Sequence, residues 1–247
     1  MENDNRHIAK PFLPTLIDTV EYARLASTVS TSRGNLLAKA AILHSALSVE
    51  ALANNLMQFI ALGRPLGESV DRLDVIAKIE LIALLLDKPK LDRGSSAMQV
   101  FAEFVELRNR YVHPKIIVNR LAKDEKGFRS TEGKTYPSLC LKTPRHDWCS
   151  TDSSRCVIKL VGAVDELLLD HLKLEMKSLS CMFCDSLTIK GTSGPMEPDK
   201  RWCTWLERSL HCRPRFFMDH IMKRFQIEKD DSAQPTSSDV GCNKEGT

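Results

Sequence analysis

Three polar side chains close together in the chain combine residue types that carry anion and proton chemistry. Arg108 and Asn109 are adjacent, and His113 follows four residues after Asn109. A guanidinium binds carboxylate or phosphate through two parallel hydrogen bonds, and an imidazole gains and loses a proton near neutral pH. In a helix, the spacing of four places Asn109 and His113 on one face, where the amide can orient the ring. The trio therefore suits a reaction at an anionic centre that needs proton transfer.

The segment that carries the trio predicts an amphipathic helix. Its apolar residues recur at spacings of three and four, and they are Ala97, Phe101, Phe104, Val105, Tyr111 and Val112. Arg108 falls near the middle of this stripe, where a guanidinium is costly unless it is paired or lines a wet cleft. Pro114 disfavours the helical conformation at His113, so the chain can turn there and bring the imidazole back towards Arg108. We therefore expect a partner for Arg108.

The most apolar segment of the chain offers that partner. Residues 36–62 are apolar nearly all round, which is typical of a helix surrounded by other helices. Glu50 and Asn54 flank the ridge of this helix, and in such surroundings polar groups need partners. We expect Glu50 to pair with Arg108.

Helical periodicity predicts five helices in all. They span residues 16–30, 36–62, 69–85, a fourth from Ser95 or Ser96 through Arg108, and 154–180. Short connections between most of them favour antiparallel neighbours. The predicted fold is all-α, an antiparallel helical bundle of four to five helices. Between residues 115 and 152 the helical period disappears, which predicts a short hairpin or an exposed insertion.

Arg108, Asn109 and His113, with the apolar run before them, resemble the Arg-Asn-x-x-x-His signature of HEPN domains. These are all-helical modules of prokaryotic toxin-antitoxin and phage-defence systems, and many are metal-independent endoribonucleases. Residues 44–54, with Glu50 and Asn54, are similar to the central helix that often precedes the motif in that family. The resemblance covers about residues 10–180.

The resemblance implies cleavage of RNA by its own 2′-hydroxyl, with no cofactor. His113 would transfer the proton, Arg108 would stabilise charge on the phosphate, and Asn109 would orient one of them. The supporting positions would be Glu50, Asn54 and Tyr111. The positions that bind RNA would be Arg110, Lys115 and Arg120. One histidine does not readily serve as both acid and base, so the resemblance implies a homodimer with two facing motifs. An antitoxin protein is a further expected partner. Members that a partner nucleotidyltransferase silences often carry a Tyr two residues after the His. Lys115 stands at that position here, which argues against this mode of control.

A second hypothesis belongs to a different class. The helical domain could be a non-catalytic interaction module that uses the Arg108 cleft to dock a protein. A Glu50–Arg108 pair buried away from any groove favours the module, and an open cleft favours the nuclease.

The C-terminal part of the chain differs in composition, because all eight cysteines follow residue 139. We interpret residues 181–228 as a Cys-rich basic extension and residues 229–247 as a disordered tail. We interpret the cysteines of this extension as ordinary buried or exposed thiols. A zinc site is the minor alternative, and its ligands would be Cys181, Cys184, Cys203 and Cys212. Basic residues around Trp202 and Trp205 could form an RNA-contacting arm, but we favour a peripheral helix with both indoles packed inward.

Composition excludes several other classes. The polar N-terminus and the absence of a long uncharged apolar run predict a cytoplasmic protein without a signal peptide or membrane span. A net charge of +3 is too small to indicate nucleic acid by itself. The sequence contains no glycine-rich phosphate loop, paired acidic metal site or nucleophile elbow, so nucleotide hydrolysis and serine chemistry have no support.

Overall fold

The computed structural model describes residues 6–60, 69–112, 121–123, 129–131, 135–141, 148–189, 192–223 and 225–226. These residues are mostly helical, as the sequence predicted. The α-helices are α1 (Phe12–Ala26), α2 (Thr31–Phe59), α3 (Val75–Leu85), α4 (Ser96–Val112), α5 (Ser150–Asp165), α6 (Met176–Phe183) and α7 (Arg201–Leu210). Two π-helical turns, Glu166–His171 and Phe216–Ile221, follow α5 and α7.

Helix α2 is the centre of the fold. It packs against α1, α3, α4, α5 and α6, and its Ile42, Val49 and Leu52 are fully buried. The helix begins at Thr31, whereas the sequence suggested a break up to residue 35. Gly34 lies in this first turn, where a Cβ atom would be 2.9 Å from the carbonyl oxygen of Ala26. Only glycine lets the end of α1 approach the first turn of α2 this closely.

By length and composition alone, α2 could also cross a membrane. Its most apolar window has a mean hydropathy of 1.5, and 56% of that window is buried by the rest of the protein. Buried central helices of folded domains pass the same test, so the property is weak evidence.

The predicted continuous helix over residues 154–180 is wrong. Helix α5 begins at Ser150, runs on through the first π-helical turn, and ends where Lys173 adopts a left-handed conformation with φ of 50°. The backbone N–H groups of Leu172 and Leu174 donate to the carbonyls of Leu167 and Leu168, which closes the helix end. The chain then restarts as α6, in a new direction that brings the C-terminal part onto the core.

Two small antiparallel sheets complete the described structure. Strands β1 (Arg6–Ile8), β4 (Ser186–Ile189) and β5 (Thr192–Pro195) form one sheet in the order β1-β4-β5, with Ile8 opposite Ser186. The sequence analysis missed this sheet. The other is a hairpin of β2 (Leu121–Lys123) and β3 (Arg129–Thr131) inside the predicted insertion.

The residues after α6 share the hydrophobic core with the helices before it. The ring centroid of Phe216 lies 6.0 Å from that of Phe12, and Trp202 lies 4.9 Å from Phe217. Trp202 is 2% exposed, and its Nε1 donates to the carbonyl of Asp199. This indole is therefore packed inward and cannot stack on a base. The predicted disordered tail lies outside the described residues.

Candidate functional site

Polar side chains meet where α2, α3 and α4 pack on one another. Glu50 of α2 and Arg108 of α4 form an ion pair, with 3.0 Å between Oε2 and Nη2. The two side chains are 34% and 32% exposed. The pair that the sequence suggested is thus present, and it lies at an accessible junction instead of deep in the core.

Arg108 keeps unused hydrogen-bonding capacity. Its Nη1 donates to Oδ1 of Asn109 at 3.1 Å, whereas its Nε is buried and has no partner among the described residues. A guanidinium has five N–H donors in a planar fork. With Glu50 and Asn109 bound at its two ends, the group is held in one orientation, and each terminal nitrogen keeps one further N–H.

Asn109 is exposed, and its amide oxygen accepts from Arg108. His113 itself lies outside the described residues, as do Lys115 and Arg120. The structure therefore joins Glu50, Arg108 and Asn109, and the contact between these groups and the imidazole stays a prediction.

Asn54 binds a residue that the sequence analysis did not select. Nζ of Lys78, on α3, donates to Oδ1 of Asn54 at 2.8 Å. Lys78 is 6% exposed, and its neighbour Ile79 is fully buried. The sequence offered one signal of this contact. Lys78 lies inside a strongly apolar helix, and a buried lysine is almost always paired.

No family model, curated protein or solved structure matches this chain. The resemblance to HEPN domains therefore rests on two stretches of the sequence, the motif that carries Arg108 and residues 44–54.

Two further residues that the sequence suggested for the site, Arg110 and Tyr111, already make contacts within the protein. Arg110 pairs with Glu106, with 3.3 Å between Nε and Oε1, which offsets part of its charge. Tyr111 packs on Trp148 with ring centroids 5.8 Å apart. Burial raises the pKa of Tyr111, so it remains a neutral phenol and has a packing role at this end of α4.

Glu103 connects α4 to the insertion, and the sequence analysis missed it. Its carboxylate oxygens accept the backbone N–H groups of Ser138 and Leu139 at 3.1 and 2.9 Å. This clamp lies five residues before Arg108 and fixes residues 135–141 against α4. Residues 135–141 of the predicted insertion are thereby held on α4, between one and two helical turns before Arg108.

The cysteines do not form the zinc site that was the minor alternative. Among the described residues, His, Cys, Asp and Glu side chains form no group of three or more that could hold a metal ion. Cys184 and Cys203 are buried, whereas Cys181 is exposed. Burial raises the pKa of Cys203 and raises that of Cys212 to about 11, which disfavours the thiolate that metals bind.

Proposed function

We propose that this protein is a metal-independent endoribonuclease of the HEPN type, acting in a prokaryotic toxin-antitoxin or phage-defence setting. The observation that carries the proposal is the accessible Glu50–Arg108 pair, because a deeply buried pair would serve packing alone. The packing of helices around α2 is compatible with the antiparallel bundle of that family. The substrate is RNA, and the cytoplasm is the expected compartment.

The residues divide the reaction between charge stabilisation and proton transfer. The 2′-hydroxyl of the RNA attacks the adjacent phosphorus, the 5′-oxygen leaves, and a 2′,3′-cyclic phosphate forms. Arg108 stabilises the extra negative charge on the pentavalent phosphate, and Glu50 holds the guanidinium in place. His113 takes the 2′-proton or gives a proton to the 5′-oxygen, since its ordinary pKa near 6.5 suits either task.

A second copy of the chain supplies the other proton-transfer group. Helix α2 presents an apolar strip of Leu36, Leu43 and Leu47, which are spaced by seven and four residues, and Glu50 follows three residues after Leu47. Leu36 is 68% and Leu47 is 40% exposed. Self-association through this strip would bury it and bring the two Arg108 sites towards one another, as a two-fold dimer requires.

The same strip favours a second candidate function. Exposed apolar residues on the central helix also suit a non-catalytic module that docks another protein, such as an antitoxin. In that case Glu50 and Arg108 would give the interface specificity, and no RNA would be cut.

Cleavage assays with matched variants separate the two functions. Wild-type protein should cut single-stranded RNA in excess EDTA, because the mechanism uses only side chains and the substrate's own hydroxyl. His113→Ala and Arg108→Ala should each lose about 10²-fold or more of the rate. Arg93→Ala is the control, since it removes another Arg–Glu ion pair, with Glu80, away from the site. Wild-type protein that cuts no RNA tested would leave the interaction module as the function.

A further inference from the structure

Lys78 presents a charge without a counter-charge at the candidate site. Its side chain is 6% exposed, and in the described part of the chain its ammonium contacts only the neutral amide oxygen of Asn54. An ammonium has three donors. Burying a cation without an anion is costly, and protein structures normally pair such a group.

The position of Lys78 relates it directly to Arg108. Glu50 and Asn54 are four residues apart on α2, so their side chains are neighbours on one helix face, with about 5–6 Å between Cβ atoms. Glu50 holds Arg108 from α4, and Asn54 holds Lys78 from α3. Two cations from different helices are thereby bound to residues one turn apart on α2.

Lys78 also differs from Arg108 in how it can act. Asn54 is only half-buried, and a lysine carries a compact charge on a flexible four-carbon stem. Contact with an accessible anion would require rotation of that stem, so that Nζ moves from Asn54 towards Glu50. An anion bound beside Arg108 would then satisfy the remaining donors of the ammonium.

We infer that Lys78 binds a second phosphate of the substrate, the neighbour along the RNA strand of the phosphate that Arg108 binds. This inference rests on the proposed function and adds a requirement to it. The substrate must carry at least two consecutive phosphates, so a dinucleoside monophosphate should be a poorer substrate than a trinucleotide. The lysine contributes a point charge that positions the strand and takes no part in proton transfer.

Binding can be measured without cleavage by using a fluorescent single-stranded RNA that carries 2′-O-methyl groups. Its Kd is measured by anisotropy over a series of KCl concentrations for wild type, Lys78→Gln and Lys78→Met. Removing one phosphate contact to a single strand should make the slope of log K against log salt shallower by about 0.7. Lys177→Gln is the control, because Lys177 is exposed on α6 and the variant loses the same charge. Its slope should match that of wild type.

Thermal melting distinguishes substrate binding from a purely structural role. Lys78→Met should melt no lower than wild type, because it removes a buried charge that has no carboxylate partner in the described residues. Lys78 variants that bind RNA with the wild-type slope, or that fail to fold, would overturn the inference, because the ammonium would then serve the fold. If wild-type protein nevertheless binds and cuts RNA, the proposed function stands and only the role of Lys78 in binding is overturned. Wild-type protein that neither binds nor cuts RNA would overturn both.

Discussion

Arg108 lies where one carboxylate can hold its guanidinium and solvent can still reach it. Glu50 and Arg108 are each about one-third exposed, so water screens part of their attraction. The ion pair therefore adds little to the stability of the fold. Its main effect is to fix the orientation of an arginine whose buried Nε has no partner among the described residues.

Arg108→Ala should consequently be a stable protein. An exposed ion pair contributes about 0.2–1 kcal/mol, in contrast to about 3–5 kcal/mol when one partner of a fully buried pair is removed. Urea unfolding followed by circular dichroism should show a loss of roughly 1 kcal/mol or less. A loss above about 3 kcal/mol would mean that the pair is a structural element, and the catalytic interpretation would then lose its main support.

At this scale, the sequence predicts some contacts better than others. The pairing of Glu50 with Arg108 could be anticipated because each is a charge in an otherwise apolar helix. The contact between Lys78 and Asn54 could not, since it depends on how α3 lies against α2. The oxygen of Asn109 accepts from the adjacent guanidinium, and the expected contact between Asn109 and His113 stays a prediction.

At the scale of elements, Asp165 attaches the second π-helical turn to α5. It is 5% exposed, and its two oxygens accept the backbone N–H groups of Arg215 and Phe216 at 3.0 and 2.7 Å. The Asp165 carboxylate thus accepts the first backbone N–H groups of a segment whose Phe216 and Phe217 side chains are buried in the core.

Asp165→Ala should destabilise the protein, because each buried N–H left unpaired costs about 1–3 kcal/mol. The control is Asp170→Ala. Asp170 also bonds Arg215, but it is 56% exposed and should contribute little. Chemical denaturation of both variants tests the assignment, and equal losses from the two would contradict it.

Asp165 also predicts a pH dependence. Burial raises its pKa above the ordinary value of 3.8, although the hydrogen bonds from Phe216 and Arg215 oppose the change. The folded state therefore holds this proton more tightly than the unfolded state, and the group's contribution to stability falls as pH rises from below 3.8 through the raised pKa. Over that range, wild type should lose stability relative to Asp165→Asn. Parallel pH profiles for the two proteins would exclude a raised pKa.

The element boundaries that the sequence did not predict have physical reasons. The break between α5 and α6 depends on Lys173 adopting a positive φ, and apolar periodicity carries no signal of that. Strand β1 has three residues and pairs with a segment about 180 positions later, so no local pattern marks it. The long amphipathic helix α4, by contrast, was predicted close to its observed start, where Ser95 accepts the N–H of Met98.

At the scale of the whole molecule, the proposed dimer depends on the strip along α2. Leu47→Asp would place a carboxylate in the centre of the interface, where its desolvation opposes association. Light scattering should show a dimer for wild type and a monomer for this variant, with ribonuclease activity reduced in step. Leu84→Asp is the control, because Leu84 is 72% exposed on α3, outside the strip. A wild-type monomer with full activity would contradict the shared site.

The central claim is that the Arg108 site cleaves RNA through the substrate's own 2′-hydroxyl. The most direct measurement is mass spectrometry of the products formed in excess EDTA, using one RNA and a second copy with a single 2′-deoxynucleotide at the mapped cleavage position. The account predicts 2′,3′-cyclic phosphate ends from the first RNA. In the second it predicts loss of cleavage at the substituted bond alone, and with Arg108→Ala it predicts product formation from either RNA that is slower by about 10²-fold or more. Equal cleavage of both RNAs by wild type, or products with 3′-hydroxyl ends that persist in Arg108→Ala, would contradict it.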